Sequence, residues 1–206
     1  MSAPRKNPAF PPIPFALLLV EGGDERTVCG ALVGSFEARG IHCWTAEGGS
    51  DLPRLAELAS RDPNIGLARS VGVVIDAEDS AEIALKVAQT ALRHFGLKTP
   101  IAHGTMSTGS PPVGAFILPD GYTPGCIETL IRRAAPDQTK ADCVDQLFSC
   151  VGTPQTTTAR RDKAWMIAYL ALQPRPLRFY EAFGNSGPID VQHSCLDDLR
   201  TFLQRL

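Results

Sequence analysis

Five carboxylates stand where a folded chain can most easily do chemistry. Glu21 follows the apolar run from Phe15 to Val20, and Asp76 follows the run from Val71 to Ile75. Asp120 comes one proline after the run from Val113 to Leu118, and Glu78 lies two residues beyond Asp76. Glu128 falls in the first turn of a helix predicted to begin near Cys126 or Ile127. If the runs are neighbouring parallel strands, about 4.8 Å apart, their terminal carboxylates share one edge. Like charges that close raise one another's pKa unless they share a cation. Oxygen donors with no His or Cys beside them suit Mg²⁺ or Mn²⁺. Plainer roles exist for several acids. Asp24 and Asp79 are placed to cap helices, and Asp120 sits in a Pro-Asp-Gly turn that favours aspartate anyway. Glu128 would also complement a helix dipole. Glu21 and Asp76 directly terminate apolar strands, so the metal-site expectation rests first on them.

Positioning these groups requires strands alternating with helices. Phe15 to Val20 reads as a strand buried on both faces. A helix is expected from Glu25 to about Arg39, stopped by Gly40, then a short strand from Ile41 to Trp44. A helix over Asp51 to Ser60, with Leu52, Leu55 and Leu58 on one side, leads to a strand from Ser70 to Asp76. The next helix spans about Ala81 to Phe95, with Ile83 among its apolar residues. A Gly/Ser/Thr/Pro loop from Gly104 to Pro112 then separates an edge strand near Ile101 from the strand Val113 to Leu118. Helices follow at about Ala141 to Phe148, Ala159 to Leu172 and Ser194 to Leu203, with a polar loop from Thr153 to Thr158. This pattern predicts an α/β fold, a Rossmann-like three-layer sandwich with a mainly parallel central sheet. Residues 1–14 form a Pro-rich lead-in, 15–158 the α/β body, and 159–206 a C-terminal helical extension packed on the same domain. In such sheets function gathers beyond the carboxyl ends of the strands, which is where the acids lie.

Composition narrows the classes. The chain has 206 residues, 44% hydrophobic and 20% charged, enough for a real core and unlike a disordered chain. Its 20 basic and 22 acidic residues give a net charge of −2, which excludes a broadly basic nucleic-acid coat but not a local patch. No apolar run approaches the roughly 20 residues that span a bilayer, and prolines interrupt the only stretch resembling a signal peptide. A cytoplasmic protein without a membrane role is expected. Six cysteines form no CxxC pair; Cys29, Cys126 and Cys143 read as small buried hydrophobes, and the cysteines suggest no function. The candidates for holding phosphate are the Gly22-Gly23 turn, Arg26 just behind it, and the pair Arg160 and Lys163. That pair shares one side of a helix, where a solvated charged face is the plainer reading.

The order of these motifs resembles a known domain. Leu18-Leu19-Val20-Glu21-Gly22-Gly23-Asp24, then Val73-Val74-Ile75-Asp76-Ala77-Glu78, is similar to the Toprim signature of a glutamate-glycine after one strand and Asp-x-Asp after a later one. Toprim domains occur in topoisomerases, primases, RecR-type recombination proteins and OLD-family nucleases. The closest overall likeness is to a small, uncharacterised, standalone Toprim-like family of bacterial and archaeal proteins related to the OLD nucleases. Leu118-Pro119-Asp120, Gly125-Cys126-Ile127-Glu128 and Lys163-Ala164-Trp165 carry that likeness over nearly the whole chain. The resemblance implies metal-dependent phosphodiester chemistry, with Glu21 as general acid/base and Asp76 and Glu78 holding Mg²⁺ or Mn²⁺. Glu78 departs from the usual second aspartate by one methylene. A nucleic acid or nucleotide would be the partner. The alternatives are a catalytically silent Toprim-like protein that binds Mg²⁺, a nucleotide or a regulatory partner, and an aspartyl-phosphate module with Asp76 as nucleophile. The latter lacks a strand-end lysine.

Overall fold

The computed structural model describes residues 9–99, 101–152, 157–183 and 187–206. Four strands form one sheet: β1 (Phe15–Val20), β2 (Ile41–Thr45), β3 (Ala68–Asp76) and β4 (Val113–Leu118). Their order is β2-β1-β3-β4, and every pairing is parallel. Among the described residues, seven α-helices surround them: α1 (Gly23–Val33), α2 (Leu52–Ser60), α3 (Ala81–Leu92), α4 (Ile127–Arg132), α5 (Gln138–Val151), α6 (Thr158–Ala171) and α7 (Asp197–Gln204).

The unbroken apolar strands follow from burial on both faces. Alternate residues point to opposite sides of a strand. Ala16, Leu18, Val20, Val74, Phe116 and Leu118 therefore enter one core with residues of α1, α4, α6 and α7. Phe15, Leu17, Leu19, Val73, Ile75 and Ile117 enter the other, with α2 and α3. The result is the expected α/β sandwich. Its C-terminal helices complete the first core through Trp165, Met166, Tyr169, Leu199 and Phe202. The chain leaves β1 toward β2 on one side and reaches β3 on the other, so the strand order reverses between β1 and β3. The crevice beyond such a reversal is where ligands bind in open parallel sheets.

Several expectations require correction. Helix α1 ends at Val33, six residues before Arg39, because Gly34 caps it at φ 77° and the chain turns through residues 35–40 to start β2. No strand forms at Ile101 among the described residues. The segment instead lies irregularly beside β4, through Gly104 N–H to Ala115 O, Ser107 N–H to Val113 O and a single antiparallel bridge at Met106 and Gly114. Ile83 and Leu58 face solvent; alanines at 81, 84, 88 and 91 build the buried side of α3. Cys143 is exposed rather than buried. Of the lead-in, residues 9–14 are described and form no helix or strand; Phe10 is buried there against Phe15 and Trp44. The remainder of the lead-in, and residues 153–156 of the expected polar loop, lie outside the described residues.

Candidate functional site

Asp76 is the hub of the crevice. It ends β3 and is only 3% exposed. Its N–H donates to Glu21 Oε2 at 3.1 Å, which fixes the end of β1 against the end of β3. Its Oδ1 accepts the N–H of Ile127, the first residue of α4, at 2.9 Å. Its Oδ2 lies 3.5 Å from Lys163 Nζ on α6. Through its backbone N–H and its side chain, this one residue thus ties together two strand ends and two helices.

The loop after β3 is fastened to the entry of α4. Glu78 N–H donates to Gly125 O at 2.8 Å and Gly125 N–H to Glu78 O at 2.9 Å. Glu78 has φ 50°, a left-handed conformation uncommon for a residue with a Cβ. Its carboxylate is half-exposed and reaches the same ammonium group as Asp76, at 3.4 Å. Cys126 then caps α4: its N–H donates to Thr129 Oγ1 at 3.0 Å, and its Sγ approaches the same hydroxyl at 3.6 Å. Two residues on, in the first turn of α4, Glu128 is buried at 4% exposure, with Oε2 lacking any hydrogen-bond partner.

Asp76, Cys126 and Glu128 each offer a ligand atom, and these atoms lie within 4.8 Å of one another. Such a cluster can hold a divalent cation. A third buried acid, Glu25, joins it from the first turn of α1 at 4% exposure. It sits against Gly22, where a Cβ would stand 2.8 Å from Glu25 Oε2, so the glycine makes room for the folded-back carboxyl.

The electrostatics follow from several carboxyl groups gathered about one lysine. Burial raises the pKa of Glu21, and the Glu78 charge adds to that against the hydrogen bonds from Asp76 and Gly49. Burial, then the charges of Glu21, Glu128 and Asp24, push Glu25 up to about 7. Asp76 is raised well above the usual carboxylate range by burial, then by Glu25 and Glu21, despite Lys163. Burial likewise raises Glu128. Burial alone would lower the pKa of Lys163, but Asp76, Glu128 and Glu78 outweigh it and hold the ammonium charged. The site therefore carries more negative charge than its single lysine offsets. Protons or a cation must supply the balance.

Not every predicted residue comes to this cluster. Asp120 is taken up by its own turn, accepting from the Tyr122 and Thr123 N–H groups and from Thr123 Oγ1, with Arg133 at 3.5 Å. Burial would raise its pKa, but these bonds outweigh it and leave it lowered. Arg26 donates to Cys43 O at 2.9 Å and lies 5.9 Å from the centre of the Phe36 ring, binding α1 to β2 rather than facing the acids. Arg160 is exposed on the first turn of α6, whereas Lys163, three residues on, is in the cluster. Gly22 is the cap residue of α1 and Gly23 its first residue.

Two residues were missed by sequence reasoning. The oxygen-only expectation gives way to a set that includes Cys126, which reads in sequence as a small hydrophobe. Its position between Gly125 and Glu128, at the start of a helix beside an acid, was the available signal. Burial raises its thiol pKa far above the ordinary value, and the thiol donates to Ala159 O at 3.6 Å. Glu25 was hidden because an acid in a first helical turn has a ready explanation in the helix dipole.

The model of the family described as "Protein of unknown function (DUF3226)" matches residues 16–206. Among solved structures, the chain is similar to the C-terminal region of the Xanthomonas campestris pv. campestris OLD protein, at 15% identity and a TM-score of 0.47, over 93% of each chain. No curated protein matches it. Among the described residues, no helix is long and apolar enough to cross a membrane.

Proposed function

The chain belongs to the DUF3226 family, and we propose that it hydrolyses phosphodiester bonds in a nucleic acid or nucleotide through a Toprim-type acidic site that uses Mg²⁺ or Mn²⁺. The observation that carries this reading is Glu128 Oε2, buried, without a hydrogen-bond partner and clustered with Asp76. A buried carboxylate oxygen left unpaired costs about 1–3 kcal/mol or more, and a cation removes that cost. The residues fit a hard divalent ion: Asp76 and Glu128 would hold it, with Glu21 and Glu78 at the same rim. The Cys126 thiol is engaged with Ala159 O, which leaves the two carboxylates as the hard donors of the set. Bound there, the ion supplies Lewis-acid polarisation of a phosphate oxygen. Glu21, its pKa raised by burial, holds or takes the proton that moves during hydrolysis. Lys163, 42% exposed at its side chain, offsets phosphate charge.

One observation favours a second reading. Lys163 Nζ stands 3.5 Å from Asp76 and 3.4 Å from Glu78, where it already offsets part of the charge a metal would meet. In that reading the site is catalytically silent and binds Mg²⁺ or a nucleotide in a regulatory role. Calorimetry with Mn²⁺ and a cleavage assay on single- and double-stranded DNA and RNA separate the two. The expected result is submillimolar to millimolar Mn²⁺ binding, abolished in Asp76→Asn, with Mn²⁺-dependent cleavage abolished in Glu21→Gln. Binding without cleavage selects the silent reading, and a wild type that binds no Mn²⁺ overturns both.

A further inference from the structure

Beside the acidic cluster lies a cavity of about 290 Å³. Glu128 and Lys163 belong to both the cluster and the cavity lining, so the two spaces are continuous. Asp24 adds a second acid to the lining, and the rest of it differs in character. Ile167 from α6 and Leu177 and Phe179 from the segment after it form an apolar wall, with Arg178 among them. Ile167 is 72% exposed, although its neighbours Met166 and Leu170 are buried. An apolar side chain left open beside a charged cluster gives nothing to water and is available to a ligand.

We propose that this cavity is a nucleoside subsite, which holds the base and sugar attached to a phosphate engaged at Asp76 and Glu128. The proposal rests on the phosphodiester reading above and adds to it the chemical class of the group beside the scissile phosphate. A free phosphate or a sugar phosphate gains little from Ile167, Leu177 and Phe179. A flat aromatic base buries apolar surface against them and can stack on Phe179. Lys163 and Arg178 share the lining with Asp24 and Glu128 and are the groups that can meet the phosphate charge, and a guanidinium also stacks on a base. The mixture of apolar wall and convergent charged groups is the usual make-up of a small-molecule site. The chemistry to be recognised is therefore a nucleoside monophosphate unit, free or at the end of a strand, rather than phosphate alone.

The test is calorimetric titration of the full chain with adenosine 5′-monophosphate, ribose 5-phosphate and inorganic phosphate, each with and without Mn²⁺. The nucleotide is expected to bind about tenfold more tightly than ribose 5-phosphate. Ile167→Asn should erase that preference while leaving Mn²⁺ binding unchanged within about twofold, the side chain being exposed and outside the acidic cluster. Arg178→Gln should reduce the preference in the same direction. Equal affinity of the wild type for the nucleotide and ribose 5-phosphate overturns the subsite, as does a preference that survives Ile167→Asn. Absence of Mn²⁺ binding in the wild type would strike the metal reading instead. A nucleotide preference removed by Ile167→Asn would still support the cavity in that case.

Discussion

Glu25 shows how a single buried carboxyl group couples the site to pH and, through the proposed cation, to metal. Burial and the neighbouring acids push its pKa up to about 7 from an ordinary 4.5. Asp76, Glu128 and Glu21 move in the same direction. A carboxyl group with a raised folded-state pKa binds more protons in the native than in the unfolded chain between the two values. Stability must then fall as pH rises through that window. Without metal, the melting temperature should decline from about pH 4.5 to about pH 7 by this contribution and level off above it. A cation that replaces the protons opposes the decline, because carboxylate ligands must be deprotonated to bind it. Thermal unfolding with and without Mn²⁺ should therefore show a larger metal-induced rise at pH 7.5 than at pH 5. Glu25→Gln should raise the metal-free melting temperature at pH 7.5 and flatten the pH dependence. A profile in Glu25→Gln identical to that of the wild type would remove Glu25 from the electrostatics of the cluster.

At the scale of elements, the site depends on the short connection into α4 as much as on the strands. Gly125 has φ 147° and exchanges two backbone hydrogen bonds with Glu78, and a Cβ there would meet Thr129 Oγ1 at 2.7 Å. That hydroxyl is the acceptor in the α4 cap. Gly125→Ala therefore strains the backbone and crowds the cap together, at a cost of about 1–3 kcal/mol. It should also displace Cys126 and Glu128 from Asp76, so chemical denaturation should show the loss of stability and calorimetry a weakened affinity for Mn²⁺. If the stability loss came with unchanged metal affinity, the connection would matter for folding only. The strands β1, β3 and β4 were legible in the sequence because burial on both faces demands unbroken apolar runs. Glu21 and Asp76 were legible with them, since a charge that directly ends such a run has few plain explanations. The end of α1 was not, because apolar spacing continued to Phe36 while one positive-φ glycine at 34 decided the boundary. Nor was the segment near Ile101, where apolar residues lie beside β4 but carry a histidine acceptor, Nδ1 of His103, to the Ile117 N–H instead of a ladder of backbone bonds. The orphan oxygen of Glu128 and its closeness to Cys126 and Asp76 depend on contacts between α4, β3 and α6, which no local pattern encodes.

For the whole molecule, the charge balance sets how a nucleic acid could be held. A net charge of −2 spread over 42 charged residues leaves no broad positive field. Arg132 is engaged by Asp145 and Asp162 and lies 4.7 Å from the centre of the Trp165 ring. Arg26 is likewise bound to backbone. The cations bordering the cavity beside the acids are Lys163 and Arg178. Binding should then be local, and its dependence on salt should report that. Each single-strand phosphate neutralised adds about −0.7 to the slope of log K against log salt concentration. Two such contacts predict a slope near −1.4 for a short single-stranded oligonucleotide, measured by fluorescence anisotropy at constant Mn²⁺. Asp76→Asn should weaken binding while changing this slope little, because it removes the metal contact and leaves both cations in place. Lys163→Gln should make the slope shallower by about 0.7. A wild-type slope steeper than about −4 would require a basic track of six or more contacts, and the local, metal-assisted grip would then be the wrong description of how this molecule meets its substrate.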